Sequence, residues 1–347
     1  MIMTYRAADA RYDTMAYRPS GRSGLKLPAL SLGLWQNFGE ARDYPSAFEI
    51  LGFAFDQGIT HFDLANNYGP PPGSSEELFG RVLARDFQPY RDEMIISTKA
   101  GYRLWPGPYG EFGSKKYLTA SLDQSLKRLG LDYVDIFYSH RYDPDTPLEE
   151  TMGALAQMVR QGKALYVGIS SYPEAETRRA HAILKALGVP LTIHQPSYSI
   201  LNRWIEADGT IDACRELGIG VIAFSPLTQG VLSGKYGRGT TETTRADNQK
   251  GPMRASHTSP AVLEAVERLR PIAERRGQTM VQLALSWVLR RREVTSALVG
   301  VRSLAQLKDN LGTLAAPDLS DEDAAAIDAA VAGGLIDLHP QPSGWLR

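Results

Sequence analysis

The chain has 347 residues and a single cysteine, Cys214, in "DACRELG". One cysteine excludes an intrachain disulfide and a cysteine-built metal site. Its setting suits the buried side of a helix. Net charge is nearly absent too: 38 Lys and Arg stand against 39 Asp and Glu, a formal charge of -1. That balance excludes a basic nucleic-acid surface and an acidic tail. No run of about 18 apolar residues occurs, so no transmembrane helix is expected. The opening "MIMTYRAADARYDTMAYRPS" scatters charges through itself and has no apolar centre, so no signal peptide is expected. These absences point to a cytoplasmic protein.

A dinucleotide fingerprint is also missing. The one Gly-x-Gly-x-x-Gly/Ala match, Gly218 to Ala223, follows a helical pattern and runs into a strand pattern. The fingerprint must instead follow a strand and open a helix. A helix stop before a strand explains the stretch better, which weakens a doubly wound sheet.

What is present is alternation. Residues 1–16 read as an arm, and "YRPSGRSGLKLPALSLG" as a hairpin around a Gly/Ser turn. Strand patterns then fall at 29–35, 59–65, 93–100, 133–141, 164–170, 191–195, 219–225 and 295–300. Helical patterns fall at 45–58, 74–85, 115–130, 147–162, 173–187, 208–218, 279–291 and 303–313. The second helix carries a serine at its start, read as its cap. Two further helices are expected at 260–277, with Pro271 inside, and at 320–334. Strands alternating with helices imply a parallel sheet, and eight such units predict a closed (β/α)₈ TIM barrel, one domain over 17–347.

Barrel chemistry sits at the C-terminal ends of the strands. There, "ITHFDLANNYG" places Asp63 at a strand end and Tyr68 just beyond; "STKAG" offers Lys99 and "FYSHR" offers His140. Singly, each has an ordinary reading: a helix cap, a packed loop tyrosine, a surface lysine, a loop histidine. Jointly, on successive strands, they converge at one patch of the rim. A phenol titrates near pH 10, so Tyr68 needs help to give up a proton. A Lys99 cation stabilises the phenolate, Asp63 fixes Lys99, and His140 holds a substrate oxygen. The group suits a reaction that builds negative charge on a carbonyl oxygen and then protonates it. Hydride addition to an aldehyde or ketone is such a reaction. Side chains supply no hydride, so a nicotinamide cofactor is needed.

"FDLANNYG", "STKAG" and "YVDIFYSHR" resemble the aldo-keto reductases, NADPH-dependent (β/α)₈ barrel enzymes. The likeness runs from about residue 17 to 334. It is most specific in the branch that holds bacterial L-glyceraldehyde 3-phosphate reductases and the β-subunits of voltage-gated potassium channels. "ALYVGISSY", "HQPSY" and the stretch from "KAGYRLW" to "FYSHR" look most like the bacterial reductases. The resemblance implies a tetrad of Asp63, Tyr68, Lys99 and His140, with Tyr68 as general acid.

The same resemblance implies an NADP(H) site. The carboxamide would lie near Ser170, Ser171 and Gln195, and the ring near Phe224, with Trp35 and Asp63 also at the cofactor. Many members have Ser-Asn where this chain has Ser170-Ser171. "SPLTQGVLSGKY" is similar to the loop over the pyrophosphate, through Ser225, Pro226, Leu227, Gln229, Gly230, Leu232 and Lys235. "GVRSLAQLKDN" resembles the adenosine site, through Gly300, Arg302, Gln306, Asp309 and Asn310. Arg302 stands at a helix start, and with Lys235 and Arg245 it argues for a 2′-phosphate, hence NADP over NAD. Trp35, Trp105 and Tyr109 are expected to wall the substrate pocket with Tyr68 and His140.

The implied substrates are small aldehydes such as L-glyceraldehyde 3-phosphate or methylglyoxal, with a tetrameric or octameric homo-oligomer as the working form. The alternative is an NADP(H)-binding regulatory subunit of a membrane complex, resembling the channel β-subunits. Those usually carry Asn where this chain has His140. A barrel hydrolase or isomerase is a third option, since fold does not fix chemistry. No metal is expected, because Asp63 and His140 come with a lysine rather than further ligands.

Overall fold

The computed structural model describes residues 5–236 and 255–336. The first two strands, β1 (Tyr17–Pro19) and β2 (Lys26–Pro28), pair antiparallel as the predicted hairpin. The next eight are β3 (Leu30–Gly33), β4 (His61–Asp63), β5 (Ile95–Ala100), β6 (Val134–Ser139), β7 (Ala164–Ser170), β8 (Leu191–Gln195), β9 (Gly220–Phe224) and β10 (Val294–Val299). They are parallel and close in the order β10-β3-β4-β5-β6-β7-β8-β9. The expected (β/α)₈ barrel is therefore present.

Helices α1 (Tyr44–Asp56), α2 (Ser74–Val82), α3 (Lys115–Leu129), α4 (Leu148–Arg160) and α5 (Glu174–Ala186) cover the first half of the barrel. Helices α6 (Trp204–Ala207), α7 (Thr210–Leu217), α8 (Pro260–Arg275), α9 (Met280–Leu289), α10 (Leu304–Leu311) and α11 (Asp321–Val331) complete it. The main core lies between this helical layer and the outer faces of the strands. Gly218 ends α7 at φ 73°, a left-handed value that glycine adopts without penalty, and β9 begins two residues later. The stretch "GIGVIA" is thus a helix stop before a strand. Helix α8 runs unbroken through Pro271. Among the described residues no helix is long and apolar enough to cross a membrane.

Two details differ from the sequence reading. The serine start of α2 is not a cap: Gly73 holds that position at φ 91°, and the Ser74 hydroxyl donates to the Pro71 carbonyl at 2.6 Å. That turn uses the hydroxyl before the helix can. The residues after α2 do not continue it as an α-helix to 85; Leu83–Phe87 widens to a π-helix and Gln88–Glu93 tightens to a 3₁₀ turn.

The hairpin fixes which end of the barrel is open. Ser20 Oγ donates to the Thr192 carbonyl at 3.1 Å, Arg22 N to the Gly218 carbonyl at 3.0 Å, and Arg18 Nη1 to the Val294 carbonyl at 3.1 Å. Thr192 and Val294 lie at the beginnings of β8 and β10, and Gly218 stands just before β9. Leu25 and Leu27 then plug the interior against Ile136, Tyr138, Ile193, Ile222 and Leu298. The N-terminal mouth is closed, and the C-terminal mouth is left for chemistry. Residues 5–16 pack outside the barrel: the Tyr5 ring meets Phe48 at 5.2 Å, and its hydroxyl donates to Asp56 Oδ1 at 2.8 Å.

Candidate active site

Asp63 is the last residue of β4, and Lys99 is the penultimate residue of β5. Strand alternation turns both inward, where each is completely buried. Lys99 Nζ lies 2.5 Å from Asp63 Oδ2 and donates to the Leu64 carbonyl at 2.7 Å. Isolated, either charge at that depth costs several kcal/mol; paired and hydrogen-bonded, both are held. Beyond β4 the chain stays tied to β5, with Asn66 N donating to the Lys99 carbonyl at 3.0 Å. It then turns back, Tyr68 N donating to the Ala65 carbonyl at 3.0 Å. This turn sets the Tyr68 hydroxyl 3.4 Å from Lys99 Nζ. His140 follows β6, still bonded through its N–H to the Ala100 carbonyl at 2.9 Å, and its ring stands edge-on to Tyr68 at 5.8 Å. The four side chains singled out from sequence therefore meet.

Gly101 makes room for the histidine. A Cβ on Gly101 would stand 2.8 Å from His140 Cβ, closer than two carbons approach. Behind His140, Tyr102 packs edge-on at 4.7 Å, and the Arg141 guanidinium lies 4.6 Å from the Tyr102 ring centroid. Tyr102 was not singled out from sequence, although it stands just past "STKAG" as Tyr68 stands just past "FDLA".

The electrostatics differ from the simplest expectation in one respect. Burial pushes the Tyr68 phenol well above its ordinary value, and the Asp63 charge pushes the same way. Burial pulls Lys99 below its ordinary value, with Asp63 opposing. His140 is held well below its ordinary value by burial, then by Lys99 and Arg141. At neutral pH the site thus holds a firmly protonated phenol and a neutral imidazole. Lys99 does not create a standing phenolate, because desolvation outweighs its charge. It stands ready for negative charge that appears later. His140 Nδ1 is buried and has no protein partner.

The residues expected at the cofactor lie around the same mouth. The Trp35 ring is 6.3 Å from Tyr68. Ser170 Oγ donates to the Gln195 carbonyl at 2.7 Å, and Ser171 N donates to the same oxygen at 3.2 Å. Gln195 Nε2 points inward and donates to Asp63 Oδ1 at 3.2 Å. Phe224 ends β9 half-buried against the barrel interior. From there Ser225, Thr228, Gln229 and Gly230 all take positive φ, so the backbone coils tightly through Pro226 and Leu227, and Gln229 Nε2 donates to Ser225 Oγ at 3.0 Å. Within the coil Thr228 N donates to the Ser225 carbonyl and Gly230 N to the Leu227 carbonyl, both at 2.9 Å. Leu232 is buried beneath it, and Lys235 is exposed. Arg245 falls outside the described residues.

After β10, Gly300 and Arg302 are exposed. Ser303 caps α10, and Arg302 N donates to Gln306 Oε1 at 2.8 Å. Asp309 accepts from Thr279 Oγ1 at 2.9 Å, and Asn310 is buried. A groove of about 380 Å³ opens at Arg302, lined also by Gln36, Asn37, Arg42, Asp43 and Ser46. Asn37 keeps a buried Nδ2 with no protein partner. Two arginines against one carboxylate leave the groove net cationic, which suits a phosphate-bearing cofactor.

Trp105 and Tyr109, also expected to wall the pocket, make ring contacts with other residues. The Trp105 ring packs on Tyr117 at 5.0 Å, and Tyr109 is 51% exposed beneath Lys116. Among the described residues, no ring contact joins either one to Tyr68 or His140.

A parallel barrel with a buried lysine–carboxylate pair under a phenol, and an imidazole beside it, belongs among oxidoreductases that act on carbonyl groups. Comparison with known proteins narrows the class. Residues 29–332 match the aldo/keto reductase family model, and the chain belongs to that family. It is 54% identical over 339 residues to an L-glyceraldehyde 3-phosphate reductase of Escherichia coli O157:H7, covering 97% of this chain and 98% of that one. The corresponding reductase of Escherichia coli strain K12 is 53% identical over the same length. A probable voltage-gated potassium channel subunit beta of Arabidopsis thaliana is 34% identical over 303 residues, 86% of this chain and 90% of its own. The branch expected from sequence is the branch found. Aldo-keto reductases generally use NADH or NADPH.

Proposed function

We propose that this protein is an NADPH-dependent reductase of small aldehydes, with L-glyceraldehyde 3-phosphate as the leading substrate and methylglyoxal in the same class. The observation that carries the reading is the placement of a protonated Tyr68 hydroxyl 3.4 Å from Lys99 Nζ, beside a neutral His140. NADPH, when bound, supplies the hydride. Phe224 and the coil from Ser225 to Leu232 would hold it, and Arg302 would supply a cation for its 2′-phosphate.

The remaining chemistry falls to side chains. His140 offers one N–H to the carbonyl oxygen and orients it. As that oxygen gains negative charge, Tyr68 gives it the phenolic proton. Lys99 then faces the new phenolate, whose charge it neutralises, while Asp63 keeps Lys99 charged and in place. A standing phenolate would have no proton to give, so burial of Tyr68 helps rather than hinders. Substrate preference rests on likeness: the reductases at 54% and 53% identity are named for L-glyceraldehyde 3-phosphate.

The test is NADPH oxidation with a panel of aldehydes, phosphorylated and not. Turnover of short aldehydes, fastest with the phosphorylated triose, is expected. NADPH binding without turnover of any carbonyl would replace an enzyme with a nucleotide-sensing subunit.

A further inference from the structure

The interior of a (β/α)₈ barrel is ordinarily filled by bulky branched apolar side chains. Here one part of it is apolar, with Ile136, Tyr138, Ile193, Ile222 and Leu298. Another part is not. Ser296 on β10, Ser31 on β3, His61 on β4 and Ser97 on β5 all point inward from adjacent strands, and all four are completely buried. They touch in sequence: Ser296 Oγ to Ser31 Oγ at 2.6 Å, Ser31 Oγ to His61 Nδ1 at 2.9 Å, and His61 Nε2 to Ser97 Oγ at 2.9 Å. Ser97 Oγ then reaches Asp63 Oδ1 at 2.7 Å.

Counting protons fixes the direction of every bond. A carboxylate only accepts, so Ser97 donates to Asp63. Ser97 has one proton, so it accepts from His61, and His61 carries its proton on Nε2. Burial pulls the His61 imidazole down to about 4, so it is neutral at pH 7 and Nδ1 is bare. Nδ1 therefore accepts from Ser31, and Ser31 in turn accepts from Ser296. Ser296 has a second contact, the Ala29 carbonyl at 3.4 Å, but its one proton is needed at the shorter contact. No member is left unsatisfied, which is the condition for a buried polar chain to be tolerated.

We propose that this one-way chain is a positioning device: Ser97 and His61 orient the Asp63 carboxylate so that Oδ2 is left to Lys99, and through Lys99 they set the distance to Tyr68. Gln195 adds a second donor to Oδ1, so one carboxylate oxygen is saturated from below and the other faces the lysine. Neither Ser97 nor His61 touches substrate. The inference rests on the proposed proton delivery by Tyr68, but the bond directions do not.

Two measurements test it. In protein labelled with ¹⁵N-histidine, with His61 assigned by its loss in His61→Gln, the His61 ring at pH 7 is expected to be neutral and protonated on Nε2. The Nδ1–H tautomer, or an imidazolium, would overturn the chain. This reading needs no turnover. In kinetics, Ser97→Ala is expected to lower kcat by about 10- to 100-fold, the cost of small misplacement in a catalytic group, with KM and NADPH affinity nearly unchanged. Ser97→Thr, which keeps the hydroxyl, restores most of it. Unchanged kcat in Ser97→Ala, or a loss that tracks only the fraction of folded protein, would overturn the positioning role. Absence of turnover in the wild type would instead strike the proposed function and leave the tautomer result standing.

Discussion

Lys99 Nζ stands 2.5 Å from Asp63 Oδ2 with both side chains fully buried, which makes each charge depend on the other. Removing one partner leaves the other uncompensated in a low-dielectric interior. Lys99→Met is expected to cost about 3–5 kcal/mol of stability by urea denaturation. The double variant Asp63→Asn, Lys99→Met should recover part of that loss while remaining inactive. A single variant as stable as wild type would mean that water reaches the pair.

Space beside His140 is the second prediction. Gly101→Ala would bring a Cβ to 2.8 Å from His140 Cβ, with the Arg141 backbone behind it, so the histidine must shift. Activity is expected to fall, by up to about 100-fold, while the circular dichroism spectrum stays native. Full activity would show that the His140 position is not critical.

Acid should weaken the fold through the buried imidazole. His61 is held at about 4 in the native state against an ordinary 6.5, so the unfolded chain binds its proton first as pH falls. Stability contributed by keeping His61 neutral is complete above about pH 6.5 and declines toward about pH 4, by roughly 1.4 kcal/mol per pH unit. Urea midpoints across this range should fall accordingly, and His61→Gln should flatten the slope. His194, held at about 3 by burial alone, leaves a residual slope in that variant. An equal slope in both proteins would place the acid sensitivity elsewhere.

Cofactor preference is expected to follow Arg302. Arg302→Glu should raise the NADPH dissociation constant by about 10- to 100-fold, the value of a charge-assisted contact, and leave NADH nearly unaffected. Titration of tryptophan fluorescence reads both. Equal weakening of the two would assign Arg302 to the shared part of the cofactor.

Much of this was legible in the sequence, for a physical reason. Strands buried on both faces read as apolar runs, so Asp63, Lys99 and His140 stood out where those runs ended. The eight units followed from the same contrast. Serine and histidine within short strands do not announce which face they occupy, so the inward column of Ser31, His61, Ser97 and Ser296 was invisible until the barrel closed. Ser74 read as a cap because caps are often serine, but the turn at Pro71 captured its hydroxyl first. Trp105 is expected at the pocket from its loop position, and its ring packs on Tyr117. Tyr102 escapes the sequence reading although it follows "STKAG" at a strand end, because its packing on His140 appears only in the fold.

The central claim is that Tyr68 delivers the proton. Tyr68→Phe removes one oxygen from a buried ring and leaves Asp63, Lys99 and the cofactor residues in place. NADPH-dependent reduction of L-glyceraldehyde 3-phosphate should fall by at least about 10²–10⁴-fold in this variant, with NADPH binding intact. Reduction at the wild-type rate would contradict the account.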